Sequence, residues 1–211
     1  GSEKARGERV PVVPGLGGSV QWDLALFQAR ARDELVPFDI PGGDGRRYFR
    51  NAGRTVRSGG ELGVQARSGP LSVQAAYSYS RFRYADYTVG TNSYAGNRIP
   101  GVPEHALSSV ASLDHGPVTL SATADVASAM EGDDANSAEV AGRTVLGVAV
   151  AGRNQAGGAE HTPLVALPNL TGVRYVGSVS VNATGAKFYE PAPGRALILR
   201  LALSRSPGGS P

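Results

Sequence analysis

The stretch Val118-Thr119-Leu120-Ser121-Ala122-Thr123-Ala124-Asp125-Val126 decides the fold. Successive side chains of an extended chain point to opposite faces. Val118, Leu120, Ala122, Ala124 and Val126 therefore share one face, and Thr119, Ser121, Thr123 and Asp125 share the other. Wound as a helix, the same residues would mix on every side, so the segment reads as a strand with one apolar face. Residues 71–80 repeat the pattern, with Leu71, Val73, Ala75, Tyr77 and Tyr79 opposing Ser72, Gln74, Ala76, Ser78 and Ser80. Near the end, Leu197, Leu199, Leu201 and Leu203 oppose Ile198, Arg200 and Ala202.

Working outward, the same period predicts strands at 5–13, 19–32, 52–68, 71–84, 104–114, 117–128, 138–151, 162–170 and 194–204. Many reach about 9–11 residues, the length of a tilted strand that crosses a bilayer, whereas soluble strands average about 5–6. The links alternate in length. Pro14-Gly15-Leu16-Gly17-Gly18, Ser68-Gly69-Pro70 and His115-Gly116 are short, and 154–161 is a glycine-containing turn. Residues 35–50, 85–103 and 171–193 are long links, and 129–137 is intermediate. Short turns at one rim and long loops at the other are the pattern of an outer-membrane barrel.

The expected fold is all-β: an antiparallel up-and-down transmembrane β-barrel, of which about nine strands are read. Glu61, Gln65, Arg67, Asp125 and Arg200 are then placed on the lumen side, because arginine on a lipid face costs about 2–4 kcal/mol at the midplane. Alternation alone equally describes a soluble β-sandwich with one solvated face. Within 19–32, Val20, Trp22, Leu24 and Leu26 share a face, after which Phe27, Ala29 and Ala31 oppose Gln28, Arg30 and Arg32. That phase slip near Phe27 reads as a β-bulge or a register offset. Trp22, Tyr77, Tyr79, Phe82 and Tyr84 suit either aromatic belts or ordinary cross-strand packing.

Composition narrows the function classes. The 21 basic and 18 acidic residues leave a net charge of +3, and the arginines are dispersed, so no nucleic-acid partner is expected. With no cysteine, there is no disulfide, no thiolate zinc site and no thiol nucleophile. The opening Gly1-Ser2-Glu3-Lys4 is no signal peptide, and no run of about 18 apolar residues exists for a transmembrane helix. Any membrane crossing is left to strands.

Catalytic signals are poor. His105, His115 and His161 lack metal-like spacing, and no Gly-x-Ser-x-Gly is present. Gly15-Leu16-Gly17-Gly18 lacks the Lys-Ser/Thr of a phosphate loop and reads as a turn. Glu131, Asp133 and Asp134 lack EF-hand spacing and read as a solvated loop tip before a weak calcium site. No catalytic residue, metal site or cofactor is expected. The candidate ligand contacts lie in the long links: Arg46, Arg47, Tyr48 and Arg50, then Tyr84, Tyr87, Tyr94 and Arg98. Arginine offers a permanent planar charge for carboxylates or catecholates, and tyrosine offers rigid amphipathic surface. The plainer alternative is that they decorate polar loops or meet lipopolysaccharide phosphates.

Pro168-Asn169-Leu170-Thr171-Gly172-Val173-Arg174-Tyr175-Val176-Gly177-Ser178-Val179-Ser180-Val181-Asn182, followed by Phe188-Tyr189-Glu190-Pro191-Ala192-Pro193-Gly194-Arg195, resembles the closing hairpin of TonB-dependent receptors. Leu26-Phe27, Asn51-Ala52-Gly53, Gly60-Glu61 and Gly101-Val102-Pro103-Glu104-His105 resemble barrel landmarks of that family in the same order. Glu3-Lys4-Ala5-Arg6 resembles a mid-barrel strand motif. The likeness is strongest to the ferric-siderophore type. It implies that 1–205 form the C-terminal portion of the barrel and 206–211 a flexible tail, with the plug domain and signal peptide absent. It also implies a fragment of an outer-membrane receptor for TonB-dependent uptake of a ferric siderophore or similar chelate. The implied partners are that ligand, outer-membrane lipid, and the plug and TonB through a missing N-terminal part. A soluble sandwich, a porin-like module and a non-functional receptor remnant stand as alternatives.

Overall fold

The structure, a computed structural model, describes residues 8–10, 18–39, 47–183 and 189–205. The strands in chain order are β1 (Glu8–Val10), β2 (Gly18–Asp39), β3 (Arg47–Ser68), β4 (Leu71–Asp86), β5 (Thr88–Val89), β6 (Asn92–Ser93), β7 (His105–His115) and β8 (Val118–Ala127). They continue with β9 (Met130–Glu131), β10 (Glu139–Val140), β11 (Arg143–Gly152), β12 (Asn154–Ala156), β13 (Ala159–Leu167), β14 (Val176–Val179), β15 (Tyr189–Pro191) and β16 (Ile198–Ser204).

One 10-stranded antiparallel sheet carries the architecture, in the order β1-β2-β3-β4-β7-β8-β11-β13-β12, with β16 on the far side of β13. It curls as half of a barrel. Sequential neighbours pair throughout, so the up-and-down order expected from the link lengths is present. At one rim the links are two residues long, because Ser68 pairs with Leu71, His115 with Val118 and Ala156 with Ala159. Gly69 and Gly116 precede proline at φ 54° and 59°, the geometry of a II′ hairpin turn. Gly157 and Gly158, both at positive φ, close the third. The opposite rim carries the links 87–104, 128–142 and 168–197.

The register puts large apolar side chains in unbroken rows. Leu71 pairs with Leu113, Leu113 with Leu120, Leu120 with Val150, Val150 with Val165, and Val165 with Leu199. These six are 41–69% exposed. A second row joins Leu24, Leu62, Tyr77, Leu107 and Val126. A soluble sandwich would bury such rows under a second sheet. Here the other sheets are two-stranded, and among the described residues nothing covers the rows. Leu197, Leu199, Leu201 and Leu203 are likewise exposed. The opposite face is polar: Arg67 lies between Ser19 and Ser72, Gln65 lies between Gln21 and Gln74, and the Ser112 and Ser121 hydroxyls bond at 2.9 Å.

Several expectations are corrected. The 35–50 link is shorter than expected, because β2 continues to Asp39 and β3 begins at Arg47. Val36 and Ala52 alternate inward there and pack on Tyr84 and Tyr87, which rewards continued pairing. No slip occurs near Phe27, since β2 and β3 stay in register from Gly18 to Arg32. The irregularity lies at Asp33, whose φ is 57°. Phe82 and Tyr84 belong to no outer belt: they share the parity of Ser72 and Gln74, Phe82 packs edge-on against Phe27 at 6.1 Å, and Tyr84 is buried. The expected strand 138–151 is split, its first residues forming the small β9–β10 hairpin.

β2 and β3, at 22 residues each, are about twice the length needed to cross a bilayer. Their far ends stand beyond the apolar rows and support the loop rim. The largest fully buried side chains lie there, in a cluster of Val36, Ala52, Tyr84 and Tyr87 with Val89, Tyr94 and Ile99 packed around it.

Candidate functional site

The loop rim is organised by one carboxylate. Asp134 is only 7% exposed. Its Oδ1 accepts from the Tyr84 hydroxyl at 2.6 Å, and its Oδ2 accepts from the Tyr87 hydroxyl at 3.0 Å and Asn182 Nδ2 at 2.9 Å. Its backbone N–H donates to Asn182 Oδ1, and its carbonyl accepts from Asn97 Nδ2. Asn182 also donates to the Pro37 carbonyl at 2.9 Å. The end of β2 and all three described loops therefore meet at this group. A buried carboxylate is tolerated when several donors replace its water.

Burial, then the Asp134 charge and hydrogen bond, push the Tyr87 phenol above the ordinary tyrosine pKa, and the Arg50 cation opposes the shift. Tyr84, 1% exposed, packs its ring 4.6 Å from that of Tyr87, and Tyr94 follows at 5.5 Å. Asn136 makes a second tie, exchanging hydrogen bonds of 2.8 and 2.9 Å with the Arg98 backbone. The Arg98 side chain lies 3.4 Å from Glu104 and 3.6 Å from Glu131. Deeper in the wall, Glu34 accepts from Thr55 at 2.7 Å and pairs with Arg57.

The expected ligand contacts thus divide. Tyr84, Tyr87, Tyr94 and Arg98 come together, but as a scaffold tied to Asp134, Glu104 and Glu131. Tyr48 and Arg50 lie on β3 near Phe38; the Tyr48 ring is 6.0 Å from Phe38, and the Arg50 guanidinium covers Phe38 at 3.7 Å. Tyr48 is exposed and Arg50 half-buried. Arg46 and the Arg47 side chain lie outside the described residues.

The acidic run is not a solvated tip. Glu131 faces Arg98, Asp133 caps the following turn by accepting from the Ser137 N–H at 2.7 Å, and Asp134 is buried. Among the described residues no group of acidic, histidine or cysteine side chains is arranged to hold a metal ion. Sequence reading took Asp134 for part of a solvated tip and missed the roles of Asn136 and Asn182. One signal existed: Asn136 and Asn182 take positive φ, which asparagine tolerates better than most residues.

A family profile described as "TonB dependent receptor-like, beta-barrel" matches residues 13–187. Among solved structures, the chain is similar to the siderophore receptor PiuA from Acinetobacter baumannii, with 20% identity and a TM-score of 0.67 over 86% of this chain and 26% of that one. It is similar to the ferric yersiniabactin uptake receptor FyuA from Yersinia pestis, with 19% identity and a TM-score of 0.63 over 84% of this chain and 26% of that one. It is also similar to the copper transporter OprC, with 15% identity and a TM-score of 0.63 over 88% and 29% of the two chains. The chain spans about a quarter of the length of the solved receptors it matches. At these identities the structures establish a shared fold, and the match over most of the sequence establishes that this chain belongs to the TonB-dependent receptor β-barrel family.

Proposed function

We propose that the chain is wall and outer-loop rim of an outer-membrane receptor that takes up a ferric siderophore or similar anionic chelate. Residues 1–205 are assigned to the C-terminal portion of its barrel, and 206–211, outside the described residues, to a tail. The carrying observation is the pairing of uncovered apolar rows on one face with loops gathered on a buried hub at one rim. An apolar face of this kind is stable against lipid, and the short-turn rim then lies on the periplasmic side. Uptake would engage a plug domain and TonB through polypeptide other than these 211 residues. Of the solved structures, one is named a siderophore receptor, one a ferric yersiniabactin uptake receptor and one a copper transporter, so the fold does not select the ligand.

Ligand contact is assigned to Tyr48 and Arg50 on β3, and to Arg46 and Arg47, of which Arg46 and the Arg47 side chain lie outside the described residues. Tyr84, Tyr87, Tyr94 and Arg98 hold the loops beneath it. Binding of an anionic chelate would draw on the guanidinium fork and the Phe38-backed Arg50 charge. The test is uptake of radiolabelled iron chelates by iron-starved cells carrying the native gene or its Tyr48→Ala/Arg50→Gln form. Loss of uptake of one chelate, with the receptor still at the cell surface, supports the reading. Uptake of every chelate tested unchanged by gene deletion would refute it.

A further inference from the structure

The inward face, opposite the exposed apolar rows, changes chemistry from one side of the sheet to the other. On β2, β3 and β4 its rows are polar: Ser19, Arg67 and Ser72, then Gln21, Gln65 and Gln74. β7 and β8 keep that character, with Ser112 against Ser121 and Ser108 against Asp125. Beyond β8 it stops. Ala149, Ala166 and Ile198 form one inward row, and Ala151, Leu164 and Arg200 form the next. Ile198 is 47% exposed, so nothing among the described residues closes over this wall. Arg200 is exposed and forms no ion pair among the described residues.

The period of two fails on β11, β13 and β16 because both of their faces are apolar. Residues 145–151, 163–167 and 197–203 are apolar throughout, apart from Gly147 and Arg200. Strands that read this way are covered on both faces, whereas a strand with one wet face alternates. Lipid accounts for the outward cover. It does not account for the inward one, because Arg200 stands in the middle of the wall and arginine facing hydrocarbon is strongly disfavoured. A second copy of this wall does not fit either. Its one inward carboxylate, Glu160, is held by Arg153 at 3.5 Å and is not free for Arg200. Other polypeptide remains. This chain covers 26% of each of two solved receptors it resembles, which leaves ample polypeptide to fill a lumen.

We propose that the lumen is sided. The inward wall of β11, β13 and β16 seats a domain of the same receptor dry, against an aliphatic surface that carries one carboxylate for Arg200. The inward wall of β2, β3 and β4 stays in water. That a plug enters the lumen belongs to the receptor reading, on which this inference rests; what the wall adds is the side the plug takes. Ala149, Ala151, Ala166 and Ala202 keep the seat flat, which suits close packing. A guanidinium covered there without a partner would be costly, so the burial itself calls for the carboxylate. The glutamine rows carry amide donors and acceptors that a dry cover would have to satisfy one by one, and water does so without shape.

The 211 residues contain no cysteine, so single cysteines can report on each wall. Ala166→Cys, Ala76→Cys and Val150→Cys are placed in the native gene product in opened outer-membrane vesicles and labelled with a charged maleimide. The unmodified protein gives the background, and each rate is divided by that of the same cysteine in denaturant. Ala76 lies on the inward face of β4, beside Gly63, and Val150 lies in the outward row. Ala166→Cys is expected to react at least tenfold more slowly than Ala76→Cys, with Val150→Cys slow as well. Adding Arg200→Glu should speed Ala166→Cys at least tenfold while Val150→Cys holds. Equal rates at Ala166→Cys and Ala76→Cys, with Val150→Cys slow, would overturn the sided lumen and leave the bilayer placement standing. Fast labelling of Val150→Cys would remove the bilayer placement and the seat with it. Labelling of Ala166→Cys unmoved by Arg200→Glu would overturn the carboxylate-bearing partner. Should the Arg200→Glu form not reach the membrane, Ala166→Cys against Ala76→Cys decides.

Discussion

Replacing Asp134 with alanine strands two buried donors. The Tyr84 and Tyr87 hydroxyls lose their acceptor, and both residues are 1% exposed, so bulk water does not reach them in the closed state. Asn182 Nδ2 is not stranded, because it keeps the Pro37 carbonyl at 2.9 Å. Each stranded donor costs about 1–3 kcal/mol, giving about 2–6 kcal/mol for the pair. Relief of the buried charge of Asp134 offsets part of that, and a net cost of about 3 kcal/mol corresponds to a roughly hundredfold larger opening constant for the loops. The assay is amide hydrogen exchange on the full chain in lipid. The reporters are Gly96, hydrogen-bonded to the Tyr84 carbonyl, and Asn182, hydrogen-bonded to the Gly132 carbonyl, with β7 and β8 as internal references. Loop amides should exchange roughly a hundredfold faster while the references hold, since the wall has its own ladder. Adding Tyr84→Phe to the alanine variant should recover part of the loss by removing a stranded hydroxyl. Unchanged loop exchange would refute the hub, and equal acceleration in β7 and β8 would show that the loops are not a separate unit.

Adjacent positions on β4 test which face meets lipid. Ala75→Arg, at the centre of the outward run, should cost about 2–4 kcal/mol in folding titrations into vesicles, while Ala76→Arg on the polar face should cost little. Gly59→Val should destabilise by about 1–3 kcal/mol in the same titration, because a Cβ there would run into the Tyr79 backbone carbonyl oxygen and stand 2.7 Å from Phe27 Cζ. Tyr87 should ionise above the ordinary tyrosine value of about 10 in ultraviolet difference titration against Tyr87→Phe. Its raised folded-state pKa contributes stability below the unfolded value and loses it as pH climbs through the folded one. Asp134→Asn should lower that pKa only in part, because burial is the larger cause.

The strand ladder was legible because its cause is local. A period of two in 118–126 or 71–80 needs only neighbouring residues to declare two faces, and Gly69-Pro70 or Gly116-Pro117 dictates a tight reversal by backbone geometry alone. Link lengths sorted the two rims, and the closing Asn169-Leu170 stretch carried the family resemblance. Asn169 is buried there and holds both the N–H and the carbonyl of Val173. The hub was not legible. Asp134 meets Tyr84, Tyr87 and Asn182 across sequence separations of 50, 47 and 48 residues, and no local pattern marks a carboxylate as buried. Nor does period alone say where a bilayer ends: Gln28, Arg30 and Arg32 looked like a slipped register until β3 fixed them on the same face as Leu24 and Leu26. Alternation is a property of one strand, whereas height, burial and partnership belong to the assembled sheet, and these only the tertiary structure decided.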